Sequence, residues 1–255
     1  NELSLLGRNL PQMILEKGHE VRTFMPKWAS INERRGQLHE VQRLSGMNLI
    51  IDDTDHPMII KCASIPSTRI QVFFIDNDDY FSKRQVDIEN EDVDYNDNGE
   101  RTVFFARGVL ETVKKQRWSP DIIHCQGWMS ALVPLYIKKA YQDEPSFRDS
   151  KVIFSLFDEE FQSTLSENIT EKILLKGINK ADVEILDKPS ATFEDLCKLA
   201  ISYSDGIIQS SEHVNEDMLN YAREKEIPVL EYQSPETYAD AFNNFYDEIW
   251  SQGKE

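Results

Sequence analysis

The sequence predicts an α/β protein built on a doubly wound, mostly parallel sheet with a small antiparallel β insertion. Three observations predict it. Beyond residue 120, short apolar runs alternate with amphipathic stretches of helical spacing, the rhythm of repeated strand–helix units joined by right-handed crossovers. Between residues 38 and 77, apolar runs instead follow one another with only turn-type segments between them, as in a meander of hairpins. Finally, 40% of the 255 residues are apolar, enough to bury a substantial core.

Taken in order, Leu6, Leu10, Met13 and Ile14 recur at helical spacing through a segment running from Gly7 to Lys17, and Gly18-His19 ends that helix. Val21 to Met25 alternates and stops at Pro26, as a strand does. Met47–Ile51, Met58–Ala63 and Ile70–Ile75 supply the meander, separated by Asp52–Asp55 and by Ile65-Pro66-Ser67, and the last run is placed to rejoin the main sheet. Residues 78–100 read as an acidic, solvated loop, because nine acids (Asp78, Asp79, Asp87, Glu89, Glu91, Asp92, Asp94, Asp97, Glu100) stand against only Lys83 and Arg84. A helix follows over 101–115. Then come strand 121–125, helix 129–140, strand 151–157, helix 192–203, strand 206–209, helix 212–224, strand 228–231 and helix 235–250. Residues 159–189 break the rhythm and are read as a helical or irregular excursion at the carboxyl edge of the sheet. With no internal repeat and no low-complexity linker, residues 1–255 are read as a single domain.

Composition excludes several functions. A net charge of −17 repels the phosphates of nucleic acid and of anionic membrane surfaces, so neither is expected as a partner. No stretch approaches the roughly twenty apolar residues of a membrane span, and the N-terminus lacks a basic-then-apolar leader pattern. Cys62, Cys125 and Cys197 are odd in number and far apart, which argues against a disulfide framework and for a reduced, cytoplasmic compartment. His19, His39, His56, His124 and His213 share no ligand spacing with one another or with the cysteines, so no metal is expected. The acidic loop lacks the residue order of a calcium-binding loop. No Gly-x-Gly-x-x-Gly or Walker A loop is present, and no cofactor is expected.

The most informative run is Trp118-Ser-Pro-Asp-Ile-Ile-His124-Cys-Gln-Gly-Trp128-Met, a strand passing through a tight Gly127 turn into a helix. It resembles the glycogen and starch synthase family of glycosyltransferases, where Trp-x-Pro-Asp-(apolar)2-His-x-His-Asp-Trp-His lines a cleft. Leu10-Pro11 with Gly18-His19-Glu20-Val21-Arg22 and Pro26, Phe73 to Asn77 with Tyr80-Phe81, Val152 to Phe157, and Ala200 to Ser211 resemble further blocks of the family in the same order and spacing.

The resemblance implies the first of two Rossmann-like halves, the GT-B arrangement, in which the first half holds the glucan acceptor and the second binds most of the sugar nucleotide. It also implies a first strand upstream of Asn1. The polar residues of the family's motifs are largely replaced. Gln126, Gly127 and Met129 stand for His, Asp and His, Phe157 stands for a functional His, and Asp158 for Asn. Glu2 brings a Cβ and a negative charge to the end of a glycine loop that approaches phosphate. A phenyl ring at 157 donates no hydrogen bond.

By family the activity is glucosyl transfer from a sugar nucleotide to α-1,4-glucan. By its own residues the chain is expected to be catalytically impaired, a pseudoenzyme of glycogen metabolism acting in glucan binding or regulation, and no catalytic residue is assigned. The alternatives are the N-terminal half of a split glycogen synthase, completed by a partner chain that supplies the nucleotide half, or a protein-interaction module on the same fold.

Ligands of parallel sheets lie beyond the carboxyl ends of the strands. An α-glucan or malto-oligosaccharide is therefore expected against Asp76, Asn77, Tyr80, His124, Trp128 and Asp158. His124 reads equally as a residue orienting a sugar hydroxyl and as a structural hydrogen-bonding group. Trp128 opening a helix after a strand reads as core. The consecutive acids Asp158, Glu159 and Glu160 read as a solvated loop rather than as a hydrolytic carboxylate pair.

Overall fold

The computed structural model describes residues 1–82, 84, 88–90, 93–94 and 96–254. Helix α1 (Glu2–Glu16) opens on Asn1, whose side-chain oxygen accepts from the Ser4 N–H at 2.8 Å, and buries Leu6, Leu10 and Ile14 along one face. It closes before Gly18, at φ +94°. Strands β1 (Thr23–Pro26) and β2 (His39–Glu40) precede a hairpin of β3 (Asn48–Ile51) and β4 (Thr54–Pro57), turned on Asp52 and Asp53, both at positive φ. Strands β5 (Ile59–Ser64) and β6 (Gln71–Asp76) pair antiparallel, while β6 lies parallel to β1. Of the expected meander only the β5–β6 pair forms: the Met47–Ile51 run pairs instead, as β3, with Thr54–Pro57 in a separate two-stranded sheet, and β6 joins β1 in a mixed sheet rather than rejoining the parallel sheet built beyond residue 120.

A short pair, β7 (Ile88–Asn90) and β8 (Val93–Asp94), leads to helix α2 (Asn98–Lys115). Strand β9 (Ile122–Gln126) runs into a broken helical run: a 3-10 turn at Trp128–Ser130, α3 (Val133–Leu135) and a π turn at Tyr136–Ala140. Then follow β10 (Lys151–Leu156), α4 (Ile169–Ile173), a 3-10 segment at Lys180–Leu186, α5 (Phe193–Ser202), β11 (Gly206–Gln209), α6 (Glu216–Glu224), β12 (Val229–Leu230) and α7 (Tyr238–Ser251).

The strands form a parallel sheet in the order β12-β11-β10-β9 and a mixed sheet in the order β1-β6-β5-β2. Alternation along β10 sorts its side chains to two faces. Ile153 and the following Phe157 pack with α1 and α7 residues Leu6, Leu10, Phe242 and Ile249. Val152, Phe154 and Leu156 join the larger core with α2, α5 and the 128–140 run. Helices on both faces of a parallel sheet are the doubly wound α/β arrangement the sequence predicts.

Three further elements differ from expectation. Within the acidic segment, Tyr80 and Phe81 are core residues, and α2 begins at Asn98, so Asn98, Gly99 and Glu100 are buried in its first turn. Gly99 lets that turn close on Ile169, since an added Cβ would lie 2.6 Å from its Cδ1. Glu100 pairs with Lys172 at 2.6 Å and sits where a helix N-terminus favours negative charge. Residues 83, 85–87, 91–92 and 95 of that expected loop lie outside the described residues. The single helix expected at 129–140 is instead interrupted. Gly177, at φ +101°, approaches so closely that a Cβ would meet the Lys139 carbonyl oxygen at 2.2 Å, and the helix there widens to a π turn closed by the Tyr141 N–H on the Tyr136 carbonyl. Helix α6 starts at Glu216 rather than 212 because the Asn215 side chain caps the Asp217 N–H at 2.9 Å. Among the described residues, no helix is long and apolar enough to cross a membrane.

Candidate functional site

Five of the six candidate residues fall into two groups with no hydrogen bond or ion pair between them among the described residues. The first stands at the carboxyl end of β6. Asp76, 2% exposed, pairs with Lys61 at 2.9 Å and accepts from the Ser82 hydroxyl. Burial works to lower the Lys61 pKa, but its bonds to Glu33 and Asp76 outweigh that and raise it. Asn77 donates to the Pro57 carbonyl at 2.9 Å and accepts from the N–H groups of Asp79 and Tyr80. The Tyr80 hydroxyl is hydrogen-bonded to His56 Nε2 at 3.1 Å, its ring packs on Phe104, and burial, with the charge of Glu100, pushes the phenol pKa up. All three side chains spend their polar atoms inside the protein.

The second group surrounds the carboxyl ends of β9 and β10. Gly127 takes φ +83°, and a Cβ there would come within 2.9 Å of Glu159 Oε1 and 3.2 Å of Leu3 Cδ2. The glycine thus lets two things close on the turn: the first turn of α1 and the Glu159 carboxylate, which accepts from the Trp128 N–H at 2.9 Å. Glu2, exposed, neighbours Leu3 in that first turn. Trp128 is 3% exposed and meets Phe161 edge-on, centroids 4.9 Å apart, so it is core as its position suggested. Met129 and Phe157 are buried, and Gln126 keeps a buried Oε1 with no partner. Asp158 and Glu160 face solvent, and the Asp158 N–H donates to the Ser211 hydroxyl at 2.8 Å. Beside them lies a cavity of about 200 Å³, lined by Phe157, Asp158, Glu159, Glu160, Phe193 and Asn215.

His124 stands apart from both. It projects with Ile153 toward α1 and α7, where Nδ1 is hydrogen-bonded to the Tyr246 hydroxyl at 2.6 Å and Nε2 to the Ser155 hydroxyl at 2.5 Å. Phe242 meets the ring edge-on, and burial holds its pKa down at about 3, so the imidazole is neutral. Of the two readings the sequence leaves open, the geometry is that of a structural hydrogen-bonding group.

Of the six candidate contacts, then, Asp158 alone presents its side chain to solvent at a cavity. Sequence reasoning missed Glu159, which it places in a solvated loop, and Phe193, which reaches the cavity from α5. Only the positive-φ Gly127 hints that something must approach the turn closely. Among the described residues, no group of three or more His, Cys, Asp or Glu side chains is arranged to hold a metal ion.

Comparison with known proteins fits this geometry. The sequence profile of the starch synthase catalytic domain matches residues 2–228. The chain is 37% identical over 175 residues to the glycogen synthase of Pelodictyon phaeoclathratiforme, covering 68% of this chain and 36% of that protein. It is 31% identical over 206 residues to the glycogen synthase of Chlorobaculum parvum, covering 80% and 41%. Among solved structures, the catalytic domain of starch synthase IV from Arabidopsis thaliana, bound to ADP and acarbose, superposes with a TM-score of 0.64 at 18% identity, over 88% of this chain and 46% of that one. The chain thus spans less than half the length of these relatives, and α7 lies beyond the matched profile. With the profile matching residues 2–228 of its 255, the chain belongs to the starch synthase catalytic domain family.

Proposed function

We propose that this chain is a transfer-incompetent member of the family that binds α-glucan in glycogen metabolism. The observation that carries the reading is the Glu159 carboxylate seated on the Trp128 N–H. A backbone N–H at a strand-to-helix turn is the kind of donor a diphosphate uses. Here a carboxylate already accepts from it, with Asp158 and Glu160 beside it and Glu2 in the adjoining turn of α1. Like charges repel, so carboxylates clustered around that donor disfavour a sugar nucleotide. A neutral saccharide meets no such penalty.

The Arabidopsis structure was bound to ADP and acarbose. Of those two kinds of ligand, the acids of this chain disfavour the first and tolerate the second. Phe157 offers no proton donor for charge developing at a transferred sugar. The cavity beside Asp158 suits a glucan instead, since the otherwise buried Phe157 and Phe193 give it an apolar wall and Asp158 accepts from hydroxyls. In this reading Asp76, Asn77, Tyr80, His124 and Trp128 hold the scaffold. Three free, buried cysteines (Cys62, Cys125, Cys197) fit a reduced, cytoplasmic compartment.

The test is glucosyl transfer by the purified chain, with glycogen as acceptor and ADP-glucose or UDP-glucose as donor. No turnover is expected. Robust turnover by the chain alone contradicts the reading, and turnover that appears only when a second protein is added favours a split enzyme.

A further inference from the structure

We propose a binding site for a free α-amino acid with an apolar side chain, in the groove between α1 and the turn that joins β5 to β6. The inference stands apart from the glucan reading and uses none of the residues around the Gly127 turn. Arg8, Gln12 and Glu16 lie one helical turn apart on a single stripe of α1, and with Ile65, Pro66 and Thr68 opposite they line a cavity of about 370 Å³. That volume stands at the low end of the range of about 300–1,000 Å³ seen for small-ligand sites, so the occupant is a small molecule. The wall facing α1 is preformed. The Ile65 N–H donates to the Ile70 carbonyl at 2.9 Å, while the Thr68 hydroxyl donates to the Ile65 carbonyl at 2.9 Å and accepts from the Ile70 N–H at 3.1 Å. A wall already ordered in this way adds little entropic cost to binding.

The stripe carries charges of both signs, and neither is neutralised. Gln12 Nε2 donates to Glu16 Oε1 at 3.0 Å, which settles which end of the amide is the oxygen. That oxygen, Gln12 Oε1, is screened from water and accepts no hydrogen bond, so a side chain lining the cavity lacks a donor. Glu16 is exposed and pairs with no cation among the described residues. Arg8 and Asn9, both exposed, have no hydrogen-bond or ionic partner there either. A phosphate or simple carboxylate answers Arg8, but it brings only acceptors to Gln12 Oε1 and a like charge to Glu16. An alkylamine answers Gln12 and Glu16 and sets a second cation beside Arg8. A neutral polyol compensates neither charge. A zwitterion compensates both: its ammonium group donates to Gln12 Oε1 and the Glu16 carboxylate, and its carboxylate accepts from the Arg8 guanidinium and the Asn9 amide. Residues four apart on a helix have Cβ atoms about 5–6 Å from each other, and the two charged groups of an α-amino acid share one carbon, so a single molecule reaches Arg8 and Gln12 together. Met13, Ile65 and Pro66 then receive its apolar side chain.

The experiment is amide NMR on the full chain titrated with L-leucine, to a concentration on the order of tens of millimolar. Three analogues run beside it: N-acetyl-leucine lacks the ammonium group, leucinamide lacks the carboxylate, and glycine lacks the apolar side chain. L-Leucine is expected to shift residues 8–16 and 65–68 and to leave residues 157–160 unmoved. Each analogue is expected to bind at least about tenfold more weakly, because each forfeits one of the three contacts. Arg8→Ala, at an exposed helix position, is expected to melt with the parent and to weaken L-leucine by about tenfold as well. No shifts with L-leucine, a midpoint for any analogue equal to that of L-leucine, or parental affinity in Arg8→Ala overturns the site.

Discussion

Replacing His124 with Gln tests whether the β9 imidazole is held beneath α7 in the way its hydrogen bonds imply. The imidazole, bonded to Tyr246 and Ser155, has its pKa lowered by burial from 6.5 to about 3. Between those values the unfolded chain holds a proton that the folded chain refuses, so unfolding is favoured as the pH falls and stability is lost below about 6.5. Each pKa unit corresponds to about 1.36 kcal/mol, so at about pH 5 the group removes about 2 kcal/mol that is present at about pH 7. For a chain of this size that is about 4–8 °C in melting temperature. Circular dichroism melts of parent and variant at the two pH values give the difference of differences, which cancels every other titrating group. The parent is expected to lose about 2 kcal/mol more than His124→Gln on acidification. Equal losses, or an imidazole that titrates near 6.5 by NMR in the folded protein, refute the burial of His124.

Two substitutions probe the packing that shapes the site. Gly177→Ala places a Cβ 2.2 Å from the Lys139 carbonyl at φ +101°, and urea denaturation is expected to show a loss of about 2–5 kcal/mol; a loss under about 1 kcal/mol contradicts the close approach that widens the π turn. Trp128→Ala empties a core position against Phe161 and should cost about 3–5 kcal/mol by the same measurement, whereas a ring reserved for stacking on sugar would cost far less.

Much of the fold is legible because it depends on local pattern. The runs read as strands at 121–125, 151–157 and 206–209 form parallel strands at 122–126, 151–156 and 206–209, and Asp52-Asp53 marks a turn, although the strand that follows it is Thr54–Pro57 rather than the next apolar run. What escapes the sequence is what stands opposite a residue. Glu100 reads as solvated charge, yet it is buried because Lys172 and Ser166 come to it from distant segments. The sequence places His124 in a strand next to a turn, but Tyr246, 122 residues away on α7, decides that the ring is bonded inside the protein. The same holds at Asp76 and Asn77, which lie at the strand end as expected while Lys61 and the Pro57 carbonyl consume their polar atoms. Glu159 shows the converse, an acid in a run of acids whose partner is the N–H of a turn reached across a crossover. Sequence pattern locates strand ends well; it carries no record of which groups fold over them.

The central claim is that the acids around the Gly127 turn turn the family's cleft from a nucleotide-binding surface into one that accepts neutral saccharide alone. The most direct measurement is a pair of titrations on the same folded sample, maltoheptaose and ADP-glucose, followed by calorimetry and amide shifts. Maltoheptaose is expected to bind with a Kd on the order of millimolar to high micromolar, with shifts around Asp158 and Phe193, while ADP-glucose leaves residues 127–128 and 157–160 unmoved. ADP-glucose binding more tightly than maltoheptaose, with shifts at Trp128 and Glu159, would contradict the claim.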